Sequence, residues 1–222
     1  MCGIFIAFSK KKPLNKKICD SSVNELFNRG PDSLKVNYFF DNSLFFSNTV
    51  LSITGNLNND KKTVSSKNKK FYISFNGEIY NYKDLKEKYK IKDKNFIFKT
   101  DTEILYHFLN NKSKNFSDLN GAWTFAHYDK NKHVLQLGRD TLGERNLYYY
   151  IDKNELIFSS EIRPIFKANK IKFSIDNIGL QDMWKYYSCR DNRTVIKDCF
   201  KLTPGKLKVF DFKNKTKGNY RE

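Results

Sequence analysis

Ala122-Trp123-Thr124-Phe125-Ala126-His127-Tyr128 is followed, across a short polar turn, by His133-Val134-Leu135-Gln136-Leu137-Gly138-Arg139. Leu147-Tyr148-Tyr149-Tyr150-Ile151 and Leu156-Ile157-Phe158-Ser159 come next. Each run is brief, rich in aromatic and aliphatic residues, and bounded by polar turn residues, the pattern of an antiparallel sheet. The four runs therefore predict a four-strand antiparallel series.

Upstream of this series, Thr100-Asp101 offers a helix cap, and Ile104, Leu105, Phe108 and Leu109 recur at helical spacing, predicting an amphipathic helix. Residues 71–75 read as a strand running into Asn76-Gly77, a dipeptide that adopts positive φ readily in tight turns. The polar stretch 55–70 reads as a loop. Residues 35–40 and 44–53 form a predicted hairpin about Asp41-Asn42. A helix over residues 14–28 ends at Arg29-Gly30-Pro31-Asp32, and Cys2-Gly3-Ile4-Phe5-Ile6-Ala7-Phe8 reads as a buried strand. Downstream, residues 176–187 predict a further helix. Two β-rich blocks divided by helices give an α+β layered domain with antiparallel sheets.

The composition narrows the class. The 222 residues suffice for a sizeable core, and 16% aromatic with 29% charged residues spread along the chain indicate a packed fold rather than disorder. No apolar run reaches the roughly 18 residues needed to cross a bilayer, and the apolar start lacks a basic leader, so the expected compartment is the cytoplasm, without membrane association. The net charge of +17 invites a nucleic-acid reading, but the lysines are scattered among asparagines and no recognition motif accompanies them; the expectation is no specific nucleic-acid partner. Cys2, Cys19, Cys189 and Cys199 have neither zinc-site spacing nor disulfide density. No metal site is expected.

Three features carry chemistry. Removing Met1 would give Cys2 a free α-amine beside its own thiol; the amine titrates at about 7.7 to 8.0 and the thiol near 8.5, so one residue can supply nucleophile and base. Asn76-Gly77 can furnish a side-chain amide and a backbone N–H to a developing oxyanion, although the same dipeptide is an ordinary hairpin turn. Glu78 and Asp101 are carboxylates suited to a substrate ammonium, or equally to capping and solvation.

Taken in order, the motifs resemble the glutaminase domain of class II glutamine amidotransferases, especially the asparagine synthetase branch. They are Met1-Cys2-Gly3-Ile4, Asn28-Arg29-Gly30-Pro31-Asp32, Phe75-Asn76-Gly77-Glu78-Ile79-Tyr80-Asn81, Thr100-Asp101-Thr102-Glu103, Gly138-Arg139-Asp140-Thr141-Leu142-Gly143, Phe158-Ser159-Ser160-Glu161-Ile162 and Leu202-Thr203-Pro204-Gly205. The resemblance implies a four-layer αββα sandwich of the N-terminal-nucleophile hydrolase kind. In it Cys2 attacks the side-chain amide of L-glutamine, forms a γ-glutamyl thioester and releases ammonia, and water then yields glutamate. It further implies that Asn76 and Gly77 form the oxyanion hole, that Glu78 and Asp101 hold the glutamine α-amino end, and that Leu51, Ser52, Ile53 and Thr54 line the pocket. No metal or organic cofactor is implied for this half-reaction. The division expected is a glutaminase domain over 1–175 and an extension over 176–222 that resembles the lead-out towards a synthetase domain.

Two departures qualify the resemblance. Relatives carry an arginine, which holds the glutamine α-carboxylate, where this chain has Val50 before Leu51-Ser52-Ile53; divergent asparagine synthetase domain-containing proteins share this replacement. The Ser-Gly-Gly-x-Asp-Ser pyrophosphate loop of the synthetase does not occur before Glu222. The leading expectation is a glutaminase that passes ammonia to a separate ATP-dependent synthetase or other acceptor. The alternatives are a catalytically weak domain with an assembly or regulatory role, an N-terminal nucleophile acting on a different amide, and nucleic-acid binding.

Overall fold

The computed structural model describes residues 1–52, 70–92, 100–169 and 173–212, together with the strand backbone of 63–65 and 219–221. Its strands are β1 (Gly3–Ser9), β2 (Ser33–Phe39), β3 (Leu44–Val50), β4 (Thr63–Ser65), β5 (Phe71–Ile79), β6 (Gly121–Asp129), β7 (Val134–Arg139), β8 (Tyr148–Ile151), β9 (Glu155–Ser159), β10 (Phe200–Lys201), β11 (Leu207–Asp211) and β12 (Asn219–Arg221). Its helices are α1 (Lys16–Asn24), α2 (Tyr82–Lys88), α3 (Asp101–Leu109), α4 (Ile162–Asn169) and α5 (Asn177–Tyr186), with 3-10 turns at Phe27–Arg29 and Phe116–Asp118.

The strands form two antiparallel sheets, ordered β10-β8-β9-β1-β3-β2 and β12-β11-β7-β6-β5-β4. Because side chains alternate across a strand, β1 sends Ile4, Ile6 and Phe8 into the layer between the sheets, and Phe5 and Ala7 to the opposite face. The inter-sheet layer gains Phe46, Tyr128, Leu137, Phe158 and Phe210 from the strands around it. Helices α1 and α4 cover the first sheet through Cys19, Val23 and Ile165, and α3 covers the second through Ile104, Leu105 and Phe108. The result is the expected α+β sandwich of four layers, αββα. Every residue of β1 is buried, as a strand covered on both faces requires. Each fully buried phenylalanine contributes about 1.5 to 3 kcal/mol, which makes the central layers a stiff support for groups at the strand ends.

Several sequence expectations change in detail. The four-strand series is divided: β6 and β7 belong to one sheet and β8 and β9 to the other, because residues 140–147 cross from sheet to sheet. Arg139 and Asp140 brace that crossing. The Arg139 guanidinium donates to the carbonyls of Arg145, Gly143 and Leu202 at 2.6–2.8 Å, and the buried Asp140 carboxylate accepts from the Trp123, Glu144 and Arg145 N–H groups. The expected turn at Asn76-Gly77 is strand: β5 continues to Ile79 in unbroken register with β6. The polar stretch read as a loop contains β4, paired with Tyr72–Ser74. Helix α3 starts at Thr100, whose side chain accepts from Glu103 N, but it is buried on nearly all sides rather than amphipathic. The helix read over 14–28 is α1 followed by a separate 3-10 turn.

Hairpin β2–β3 turns through Phe40, Asp41 and Asn42, all left-handed. In the stretch 176–222, β10 pairs with β8 and β11 with β7, so both sheets draw strands from the end of the chain. Among the described residues no helix is long and apolar enough to cross a membrane, and no cluster of three His, Cys, Asp or Glu is arranged to hold a metal ion.

Candidate active site

Cys2 stands immediately before β1 and is buried. Its surroundings fix the backbone on each side. Gly3 faces Thr49 so closely that a β-carbon there would lie 2.5 Å from Thr49 Oγ1. Ile4 N donates to Ser160 Oγ at 3.0 Å while Ser160 N donates back to the Ile4 carbonyl at 2.9 Å. The Arg29 Nε donates to the Cys2 carbonyl at 3.1 Å, and the same guanidinium pairs with Glu161 at 3.3 Å. Glu161 is held in turn by Arg163 at 2.9 Å. The loop after Arg29 is packed on β3: Pro31 bridges to Val50, Asp32 N donates to the Val50 carbonyl, and a β-carbon on Gly30 would lie 2.5 Å from Val50 N.

Strand register brings the motifs to one end of the sandwich. Gly3 pairs with Thr49, so one further step sets Cys2 beside Val50, itself buried. The second sheet is tied in at the same end, with Ser74 Oγ 2.8 Å from Asn48 Oδ1 and 3.0 Å from the Ser47 carbonyl. Two residues beyond this tie, on the same faces of their strands, stand Val50 on β3 and Asn76 on β5. Asn76 is 1% exposed, yet among the described residues neither its Oδ1 nor its Nδ2 has a hydrogen-bond partner, and the same holds for Asn48 Nδ2 and for Thr124 Oγ1, which is paired with Asn76 in register. Burying an amide without partners costs about 1 to 3 kcal/mol, so such groups at a strand end point to a polar ligand.

Gly77 contributes through its backbone. Trp123 directs both its N–H and its carbonyl to Asp140 on the β7 side, so in an antiparallel ladder Gly77, opposite Trp123, directs its N–H away from β6. Among the described residues no strand pairs with β5 on that side beyond Ser74, the partner of Thr63. Gly77 has φ +143°, and a β-carbon would lie 2.1 Å from the Ala122 carbonyl oxygen. Only glycine fits this position.

Glu78 is exposed on the same strand end. Asp101, the first residue of α3, accepts from Ile79 N at 3.2 Å and from Thr102 N at 2.8 Å, which joins the helix start to the end of β5. Leu51 and Ser52 are half-buried just beyond β3, with Ser52 N donating to Asp32 at 2.7 Å. Ile53 and Thr54, and Lys61 and Lys62 further on, lie outside the described residues. Register and the Ser74–Asn48 tie thus set Cys2, Asn76 and Gly77 towards the same end of the two sheets, with Glu78 and Asp101 together at the tip of β5.

Sequence reading missed the Arg29 contact to Cys2 and the polar side chains of Asn48, Ser74 and Thr124. Alternation along β3, β5 and β6 was the available signal, since it sets each of these polar residues on an otherwise apolar inner face. The other thiols are held protonated by burial, with Cys19 and Cys199 each pushed up to about 12 and Cys189 also raised.

Comparison with known proteins gives the family. The family model described as glutamine amidotransferase domain matches residues 1–221. Asparagine synthetase [glutamine-hydrolyzing] 1 of Bacillus subtilis is 31% identical over 211 residues, covering 92% of this chain and 33% of that protein. Asparagine synthetase B of Escherichia coli is 32% identical, covering 87% of this chain and 37% of that protein. The chain therefore spans about a third of the length of these relatives. Among solved structures, the glutamine phosphoribosylpyrophosphate amidotransferase of B. subtilis, complexed with ADP and GMP, superposes over 95% of this chain and 47% of its own, with a TM-score of 0.65 at 16% identity, a likeness of fold. With a family model matched over nearly its whole length, the chain belongs to the glutamine amidotransferase domain family.

Proposed function

We propose that this domain hydrolyses L-glutamine to glutamate and ammonia through a thioester on Cys2. The observation that carries the reading is the buried amide of Asn76, without a partner among the described residues, beside Gly77 on β5 and towards the Cys2 end of the sandwich. Once Met1 is removed, the Cys2 α-amine accepts the thiol proton and Sγ attacks the glutamine side-chain amide carbon. The tetrahedral oxyanion takes hydrogen bonds from Asn76 Nδ2 and Gly77 N–H. Collapse breaks the C–N bond, the α-ammonium protonates the departing nitrogen, and ammonia leaves behind a γ-glutamyl thioester. Water then adds with the amine as base, and glutamate and the free thiol form. Glu78 and Asp101 hold the substrate ammonium, and Leu51, Ser52, Ile53 and Thr54 line the pocket.

The relatives' names support delivery of the ammonia to a synthetase or other acceptor, which we read as a separate cytoplasmic protein. Buried, apolar Val50 favours a second reading, a weak or inactive domain with an assembly or regulatory role. Glutamate release from glutamine by protein with Cys2 as its first residue, compared with Cys2→Ala, tests the proposal. Equal release from both, or none from either, would reject it.

A further inference from the structure

A cleft of about 490 Å³ lies beside the chain start, lined among others by Met1, Arg29, Glu144, Arg145, Tyr148 and Glu161. The Met1 sulfur sits between two cations in it, 3.7 Å from Arg29 Nη2 and 3.6 Å from Arg145 Nη1. A thioether is a weak acceptor and a poor partner for guanidinium groups. Arg29 is already neutralised by Glu161. The Arg145 guanidinium, by contrast, pairs with no carboxylate among the described residues, and its Nε is buried without a hydrogen bond. Arg145 N on Asp140 and its carbonyl on Arg139 fix the backbone from which this side chain projects.

We propose that removal of Met1 turns this cleft into a site for a small monovalent carboxylate, bound by Arg145 with Arg29 beside the new N-terminus. The inference rests on the reading above only in taking Cys2 as the mature first residue. Two guanidinium groups that both reach one sulfur atom can each donate to one carboxylate at about 2.7 to 2.9 Å. Deleting Met1 moves the N-terminal ammonium from Met1 to Cys2, beside a rim whose other charges are Arg163, Glu144 and Glu161, with the Tyr148 phenol alongside. Exposed Glu144 opposes a second negative charge, so a carboxylate is preferred to a phosphate dianion. A carboxylate held there lies beside the mature Cys2, and its negative charge disfavours the thiolate form of that residue.

The test uses protein released from a fusion cut immediately before Cys2, so that the mature end exists whether or not the domain hydrolyses glutamine. Sodium acetate is titrated against matched sodium chloride and sodium phosphate while arginine side-chain N–H signals are followed by NMR. Acetate should shift the Arg145 and Arg29 Nε–H signals saturably, more tightly than phosphate, and should slow alkylation of Cys2 by iodoacetamide. Protein extended ahead of Met1 by an uncleaved tag, and mature Arg145→Gln, should lose both effects. Equal shifts from chloride, tighter binding of phosphate, undiminished acetate binding in the tagged or Arg145→Gln protein, or alkylation slowed equally in Arg145→Gln would overturn the proposal. Absence of glutaminase activity with these acetate effects intact would instead reject the catalytic reading alone.

Discussion

Arg29 Nε and the Cys2 carbonyl are 3.1 Å apart, across 27 positions of sequence, and Glu161 anchors the far side of the same guanidinium. The bond fixes the peptide plane that follows Cys2 and hence the direction of its side chain. Arg29→Gln should therefore lower kcat by about 100-fold, the loss expected when a reacting group is misplaced by about 1 Å, with a smaller change in KM. Steady-state glutaminase kinetics on folded, mature protein give the readout. A kcat within twofold of wild type would show that the strand bonds to Ser160 position Cys2 unaided.

Gly77 has no room for a side chain, and the obstacle is backbone. With φ at +143° and the Ala122 carbonyl 2.1 Å from an ideal β-carbon, Gly77→Ala requires β5 and β6 to separate. The expected cost is about 4 kcal/mol, in the range reserved for severe core or backbone conflicts. For a chain of this length that corresponds to a fall in Tm of roughly 8 to 16 °C, measurable by calorimetry. An unchanged Tm would contradict the close pairing of Gly77 with Trp123.

Asn76 should behave oppositely, since its amide has no hydrogen-bond partner among the described residues. Asn76→Ala loses no intramolecular hydrogen bond and relieves a buried, unpartnered group, so Tm should hold or rise. Turnover should fall by about 100- to 1000-fold, the usual effect of deleting one oxyanion donor. A parallel fall in stability and activity would assign Asn76 a structural role instead.

His127 gives the fold a specific acid sensitivity. Its ring is stacked on Phe71, neither nitrogen makes a well-formed hydrogen bond, and burial lowers its pKa from 6.5 to about 4. A depressed histidine means that the unfolded chain binds more protons than the folded one between those values. Its contribution is therefore fully present above about pH 6.5 and is lost as pH falls towards 4. The loss amounts to about 3 kcal/mol at about 1.4 kcal/mol per unit. His127→Phe should flatten this part of the urea-denaturation profile. A wild-type profile that His127→Phe reproduces would assign the acid sensitivity to other groups.

What could be read in the sequence follows from the range of the interactions involved. β1, β6 and β7 were legible because each is a continuous apolar and aromatic run bounded by nearby turn residues, and α3 because Thr100 caps it locally. The allocation of β8 and β9 to the other sheet was not, since it depends on Phe158 pairing with Ile6, far away in sequence. Asn76-Gly77 misled because its local turn propensity is overridden by nine pairs of register with β6. Helix α2 left almost no pattern, since Leu85 is its one buried residue. The motif residues proposed for the site stand out through their order along the chain. Arg29, Asn48 and Thr124 acquire meaning only when the sheets bring them to Cys2 and Asn76.

Val50 offers the sharpest test of substrate binding. It lies beside Cys2, buried, in the position where the family resemblance expects a guanidinium for the glutamine α-carboxylate. A charge-assisted bond of that kind contributes about 1.5 to 3 kcal/mol, so its absence should weaken glutamine binding by roughly 10- to 150-fold. Since the α-carboxylate is remote from the reacting carbon, the missing contact acts as uniform binding and raises KM more than it lowers kcat. Val50→Arg should therefore lower KM by that factor with kcat changed less than threefold. The buried position predicts an accompanying fall in Tm, as a charge enters a site shaped for an apolar side chain. Lys61→Ala and Lys62→Ala test whether a downstream lysine already supplies the cation; in that case either substitution raises KM and Val50→Arg gains little. A wild-type KM in the ordinary sub-millimolar range, unaffected by either lysine, would remove the case for a binding defect at Val50. Hydrolysis that stays absent even in Val50→Arg would favour the assembly or regulatory role.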